Sequence, residues 1–112
     1  MSSHLKMLQA LLGSEALASS EAMGRAVAIT ESDFVAGKSG LLRNHVDRYP
    51  LANLTAVQLN PNPSAMLLSL EFDGIDPKSV SFMFPATAEK ELEKIVDLLN
   101  GALRRSGKGR AA

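Results

Sequence analysis

The hydrophobic period of this chain changes at Pro85. Before that residue, apolar side chains tend to alternate with polar ones, as in residues 65–72, and a period of two is typical of a β-strand with one buried face. After it, apolar residues recur every three or four positions, at Leu92, Ile95, Val96, Leu99 and Leu103. This second period is typical of an amphipathic helix. The chain therefore needs a fold in which one terminal helix packs against a series of strands.

The terminal helix has matching signals at its two ends. Thr87 is a suitable N-cap residue, and acidic residues follow it in the first turn. Arg104 and Arg105 lie at the far end, so the charges complement the helix dipole. We expect the helix to end at Asn100 or to continue to about Gly107.

Short turns divide the preceding part of the chain into strands. Clusters of glycine, serine, asparagine and proline, such as Gly37-Lys38-Ser39-Gly40, are typical of tight turns. Leu42 and Val46 are expected on a common face of one strand. Residues 15–23 allow two interpretations, because alanine favours a helix whereas the serines and Gly24 favour a break. The remaining predicted strands cover residues 25–30, 33–38, 41–49, 54–60, 65–73 and 79–84.

The first 13 residues predict a short amphipathic helix that Gly13 ends. Three leucines fall on one stripe of it: Leu5, Leu8 and Leu12. Either the sheet of this chain or a partner must cover the stripe, so these leucines are candidate interaction residues. This segment is too short to span a membrane, because a spanning helix takes about 20 apolar residues. Lys6 and Gln9 interrupt its apolar run, which argues against a signal peptide. We therefore expect a cytoplasmic protein.

The residue inventory excludes most catalytic chemistry. The 112 residues include no cysteine and only two histidines, His4 and His45, which are far apart in the chain. A catalytic zinc ion usually takes three protein ligands, so we expect no metal site. The tripeptide Gly37-Lys38-Ser39 lacks the leading glycine of a phosphate-binding loop, because position 32 is serine. We expect a non-enzymatic protein without a cofactor.

Basic residues form two groups in a chain whose formal charge is zero. One group follows a predicted strand edge, and the other precedes the basic tail: Lys38, Arg43 and Arg48, then Arg104 and Arg105. Each cation near an anionic bilayer contributes about 1 kcal/mol, so these residues are candidate anion contacts. Asp47 weakens the first group, and charges at a helix end are commonly solvated. We expect at most weak membrane contact and no binding of nucleic acid.

Three segments together resemble the small bacterial pleckstrin-homology (PH)-like domains. They are residues 24–30 followed by Asp33-Phe34-Val35, residues 49–57, and Phe82-Met83-Phe84 followed by the terminal helix. The resemblance implies a mainly β (α+β) fold, a seven-stranded antiparallel bent sandwich or barrel that is capped by the C-terminal helix. It makes residues 15–23 the first strand and makes Leu92, Ile95, Val96 and Leu99 the plug of one open end.

The same resemblance implies a domain organisation. The PH-like domain covers residues 14–105, the short amphipathic helix at residues 1–13 precedes it, and a flexible basic tail at residues 106–112 follows it. In this organisation the leading helix is an addition to the PH-like unit, and it packs either on the sheet or on a partner.

PH-like domains that bind phosphoinositides carry several cations in the loop between their first two strands. Here that loop contains only Arg25, with Glu21 nearby, and one arginine does not supply the contacts that a polyphosphate needs. The bacterial resemblance instead implies protein association through strand edges or the leading helix. We therefore expect a homo-oligomeric protein-interaction and self-assembly module. The alternative is a peripheral binder of anionic membrane surfaces that uses the basic strand edge and tail, and a small-molecule ligand inside the sandwich is a third hypothesis.

Overall fold

A computed structural model describes residues 3–61 and 64–106, and in it seven strands lie between two α-helices. In chain order the elements are α1 (Ser3–Leu12), β1 (Ala18–Ala22), β2 (Arg25–Ile29), β3 (Asp33–Lys38), β4 (His45–Pro50), β5 (Leu54–Pro61), β6 (Ala65–Phe72), β7 (Lys78–Pro85) and α2 (Glu89–Ser106). Single turns of 3-10 helix connect α1 to β1, β4 to β5 and β7 to α2: Gly13–Glu15, Leu51–Asn53 and Ala86–Ala88.

The strands form two antiparallel sheets. The first has the order β1-β2-β3-β4 and the second has the order β5-β6-β7. The two sheets meet at a corner where the backbone N–H of Met23, just after β1, donates to the carbonyl of Met83 in β7 at 2.7 Å. The predicted fold class is confirmed, because the chain is a mainly β sandwich with a C-terminal helix and a short additional N-terminal helix. This architecture is consistent with a PH-like sandwich.

The main core lies between the two sheets and under α2. Phe34 of the first sheet meets Phe82 of the second, with their ring centroids 5.5 Å apart. The helix adds buried side chains from one face: Leu92, Ile95, Leu99 and Ala102, with half-buried Val96 beside them. The predicted plug is therefore confirmed. The helix continues through Gly101 to Ser106 and does not end at Asn100.

A second, smaller core lies on the outer face of the first sheet, beneath α1. Leu8 and Leu12 are buried there against Ala26, Ala28 and Val35. The sheet residues are small, so the helix axis can approach the strands closely. This packing resolves the alternative left by the sequence, because the leucine stripe lies on the sheet of its own chain.

Gly37 of β3 lies where the side chains of α1 come closest to the sheet. A Cβ atom at this position would lie 3.1 Å from Leu8 Cδ1 and 3.1 Å from Met7 Cε. Contacts this short require the helix side chains to shift, so even a methyl group at position 37 would press on α1. The glycine is needed here for space, and no positive φ is involved.

The connection between β3 and β4 differs from the prediction. Gly37 and Lys38 belong to β3, and β4 begins at His45 rather than at residue 41. A six-residue loop, residues 39–44, therefore replaces both the predicted tight turn and the start of the predicted strand. The expected common face of Leu42 and Val46 is wrong, because Leu42 is fully exposed in this loop while Val46 packs beside the second core.

Candidate interaction surfaces

The three candidate interaction leucines of α1 contribute to the fold. Leu8 is 0% exposed and Leu12 is 3% exposed, and Leu5 packs at the edge of the same cluster. The exposed side of the helix carries Lys6, Gln9, Ala10 and Leu11. In this conformation the apolar stripe is covered by the chain itself, and Leu11 is the one large apolar side chain on the exposed side of α1.

The candidate anion contacts do not form one patch. Lys38 pairs with His45 across β3 and β4, whereas Arg48 lies opposite Val35, three positions further along the ladder. At about 3.3 Å per residue this is a separation of about 10 Å, and the alternation of side chains places Lys38 and Arg48 on opposite faces. Arg48 also forms an ion pair with Asp33, Nη1 to Oδ2 at 3.5 Å. The basic strand edge is therefore divided.

The two arginines of α2 lie apart from Lys38 and Arg43. Arg104 and Arg105 are exposed in the last turn of the helix, where they complement its dipole. Arg105 lines a recess with Glu31, Ser32 and Leu51, at the end of the first sheet opposite to Lys38. The basic tail that was expected to add to these charges falls mostly on residues 107–112, outside the described residues.

The loop between β3 and β4 presents two fully exposed leucines. We call residues 39–44 the Leu41 loop. Leu41 is 106% exposed and Leu42 is 100% exposed, so neither side chain rests on the domain. Lys38 and Arg43 flank the pair, and residues 38–46 contain no acidic side chain. The sequence prediction missed this tip because Leu42 and Val46 fit the apolar pattern of a strand.

Two features hold the Leu41 loop in place. At its start, the N–H of Ser39 donates to His4 Nδ1 at 2.9 Å, and the Ser39 hydroxyl lies 2.9 Å from that of Ser3. Within the loop, a Cβ atom at position 40 would collide with the carbonyl of Arg43, so the tight approach requires Gly40. His4 thus has a structural role, since it ties the N-terminus of α1 to the loop.

A polar recess beside the main core contains Tyr49. Its ring stacks on Phe72 with centroids 5.1 Å apart. Burial raises the pKa of the Tyr49 phenol, Asp47 raises it further, and Arg25 and Lys78 act in the opposite direction. At neutral pH the phenol is therefore a hydrogen-bond donor and not a base.

The two cations that act on Tyr49, Lys78 and Arg25, each have a further contact. Lys78 Nζ lies 3.0 Å from Asp76 Oδ2, and this contact raises the pKa of the lysine. The Arg25 guanidinium lies 5.2 Å from the centroid of the Phe82 ring, a cation–π contact. Across residues 3–61 and 64–106, no group of three or more His, Cys, Asp or Glu side chains is arranged to hold a metal ion.

The outward face of the second sheet is solvent-facing and nearly uncharged. We call it the β5–β7 face, and three cross-strand rows make it up: Asn60-Leu67-Met83, Gln58-Ser69-Ser81 and Ala56-Glu71-Ser79. Every residue in these rows is exposed or half-buried. Glu71 is the one charged side chain in the rows, and the hydroxyls of Ser69 and Ser81 lie 3.3 Å apart.

Leu67 and Met83 are the two residues whose sequence positions could have indicated this face. Both lie at positions where the period of two calls for a polar residue, and the register places them directly opposite each other. Met83 is 37% exposed, and Met23, which is 54% exposed, lies in the turn bonded to the Met83 carbonyl. The result is an apolar row bordered by serines, glutamine and asparagine.

Among the residues described, no helix is both long and apolar enough to cross a membrane. No family model, curated protein or solved structure matches the chain.

Proposed function

We propose that the chain is a non-enzymatic, bacterial PH-like interaction module of the cytoplasm that self-associates through the β5–β7 face. The observation that carries the proposal is the Leu67–Met83 pair on the solvent-facing side of the second sheet, in which Met83 is 37% exposed and Leu67 is half-buried. The cysteine-free composition accords with a reducing compartment. The PH-like assignment is supported by the sequence resemblance together with the two-sheet architecture.

The anatomy of the β5–β7 face suits a protein contact. Protein interfaces combine an apolar centre with a polar rim, and methionine is enriched in them. Here Leu67 and Met83 supply the apolar part, and the Ser69-Ser81 row supplies neighbouring hydrogen-bonding groups. The face is formed by three paired strands, so the same face of a second copy can pack against it.

The low charge of the β5–β7 face favours a second copy of the chain as its binding partner. In a twofold dimer the same patch meets itself, so a strongly charged patch would repel its copy. The rows of the β5–β7 face contain one carboxylate, that of Glu71, so two such faces approach with little repulsion. A charged partner would find little to pair with.

The size of the face sets the expected affinity. Each of the three strands of this face, β5, β6 and β7, has eight residues. At about 3.3 Å per residue and about 4.8 Å between strands, three such strands cover roughly 400 Å² per partner. Stable interfaces bury about 800 Å² per partner, so the self-association should be weak and reversible.

Sedimentation equilibrium of the full chain from micromolar to hundreds of micromolar tests the proposal. The expected result is a monomer–dimer equilibrium that Met83→Lys shifts at least tenfold towards monomer, since it introduces a cation that an apolar contact would desolvate. Ala10→Lys is the matched control, because it adds the same charge on the exposed side of α1. A wild-type chain that is monomeric throughout, or equal effects of the two substitutions, would refute the proposal.

A further inference from the structure

We propose that the Leu41 loop is an anchor that inserts its two leucines into the surface of an anionic lipid bilayer. This would be a second function, and it does not depend on the β5–β7 face. Leu41 and Leu42 stand in tandem, fully exposed, at the end of the sandwich away from Arg105. Soluble domains commonly expose single apolar side chains, whereas two adjacent exposed leucines form an apolar patch, which is typical of a binding site.

The shape of the tip favours a bilayer over a protein. A stable protein interface buries about 800 Å² per partner, and two protruding leucines offer only a fraction of that area. A protein would also need a pocket complementary to the tip. The boundary between headgroups and acyl chains accepts an apolar side chain without a preformed pocket, and the affinity grows with the apolar area inserted.

The charges around the tip favour an anionic bilayer. Lys38 and Arg43 lie on either side of the leucines, and both are exposed. Cations close to an anionic surface add to the attraction of an inserted apolar group. Glu21 and Asp47 lie one and two positions inward from this end of the first sheet, and both are outside residues 38–46. The electrostatic contribution is therefore local and modest, and it adds to the leucine contribution.

A second exposed apolar residue shows by contrast why charge matters. Ile75, in the loop between β6 and β7, is 107% exposed, which matches the two leucines. Its loop, however, carries Asp73 and Asp76. Lys78 pairs with Asp76, but residues 73–78 still contain two carboxylates and one cation, so an anionic surface repels this segment and Ile75 should not insert. Ile75 is therefore a control within the same chain, because it is as exposed as Leu41 and Leu42 but lies among acidic rather than basic residues.

The backbone presents the leucines in a defined conformation. Gly40 allows the close approach to the Arg43 carbonyl, and Ser39 is bonded to His4 and Ser3 of α1. A loop that is already ordered loses less conformational freedom on binding. The turn after β1 lies at the same end of the first sheet as the Leu41 loop. Ala22 and Arg25 form the last pair between β1 and β2 at this end, and Lys38 and His45 form the last pair between β3 and β4. Met23 in that turn provides a further apolar contact with the bilayer.

Vesicle flotation with the full chain tests the anchor. The probes are vesicles of phosphatidylcholine alone and of phosphatidylcholine mixed with phosphatidylserine. We expect binding to the mixed vesicles and at least tenfold weaker binding to the neutral ones. The double substitution Leu41→Ser with Leu42→Ser should weaken binding to mixed vesicles about a hundredfold, equivalent to about 2.8 kcal/mol. Ile75→Ser should leave binding unchanged.

A spectroscopic readout locates the insertion. The chain contains no tryptophan, so Leu42→Trp introduces a single reporter. Its emission should shift to shorter wavelength on mixed vesicles and should be quenched by brominated acyl chains. Both loop variants should keep the wild-type melting temperature, because the replaced side chains contact nothing in the domain.

Three results would overturn the proposal. The first is no binding of the wild-type chain to mixed vesicles at low salt. The second is an equal loss of binding in Ile75→Ser and in the double leucine variant, since that would indicate general adhesion of exposed apolar groups. The third is an effect of the leucine variant on self-association without an effect on vesicle binding, which would assign the tip to a protein contact.

Discussion

Leu8→Ala distinguishes a core role of α1 from a role in partner binding. The side chain of Leu8 is fully buried, and its neighbours across the sheet are Ala26, Ala28 and Gly37. If α1 is an integral part of the domain, the substitution lowers the free energy of unfolding. If the helix is instead a docking element that contacts the sheet only loosely, the substitution changes association and leaves unfolding almost unaffected.

The expected magnitude follows from the packing. Leucine to alanine removes three carbon atoms, which at about 0.8 kcal/mol each gives about 2.4 kcal/mol of lost burial. A cavity adds to this, because the paired strands that carry the small neighbours cannot move into the space. We therefore expect a loss of about 3 kcal/mol. With a urea m-value of about 1.5 kcal/mol/M, the unfolding midpoint falls by about 2 M.

Urea denaturation followed by far-UV circular dichroism measures this loss. The control is Leu11→Ala on the same helix, where the side chain is 54% exposed and the expected loss is below about 1 kcal/mol. Sedimentation equilibrium of the folded Leu8→Ala chain should give the wild-type dimerisation constant. Equal stability of the two variants, or an altered dimerisation constant in Leu8→Ala alone, would show that the reasoning is wrong.

Two further predictions concern single contacts. Gly37→Ala should destabilise the domain by about 1–2 kcal/mol in urea denaturation, because the new Cβ would lie 3.1 Å from Leu8 Cδ1 and Met7 Cε, whereas an unchanged midpoint would mean that α1 yields freely. Burial raises the pKa of Tyr49 above its ordinary value of 10.0, so the neutral phenol is favoured in the folded state and its contribution to stability is lost as the pH rises above about 10. The stability difference between wild type and Tyr49→Phe should therefore move in favour of the phenylalanine variant between pH 9 and pH 11, and a constant difference would contradict the assignment.

The elements that the sequence predicts well have local causes. The alternation in β6 and the spacing of leucines in α2 are imposed by which face is buried, and the helix dipole fixes the charges at the ends of α2. β1 is different, because its alanines and serines have no strong preference, and pairing with β2 makes it a strand. The resemblance to PH-like domains, and not the local pattern, gave the correct assignment there.

The candidate surfaces were harder to predict because they depend on contacts between distant residues. The amphipathic stripe of α1 shows that something covers Leu8, but the small residues of β2 and β3 that receive it are recognisable only once the strands are paired. The β5–β7 face likewise exists because the register places Leu67 opposite Met83. The Leu41 loop was missed since exposed leucines have the same sequence pattern as buried ones.

The position of β2 and β3 between two cores also restricts how these strands can evolve. Val27 and Phe34 point into the main core, while Ala28 and Val35 point beneath α1, so neither strand has a solvent-facing side over most of its length. Large side chains are needed on one side and mostly small ones on the other. Substitutions in this central pair should be poorly tolerated in descendants of the chain, whereas Leu41 and Leu42, which are fully exposed, can be replaced without loss of the fold.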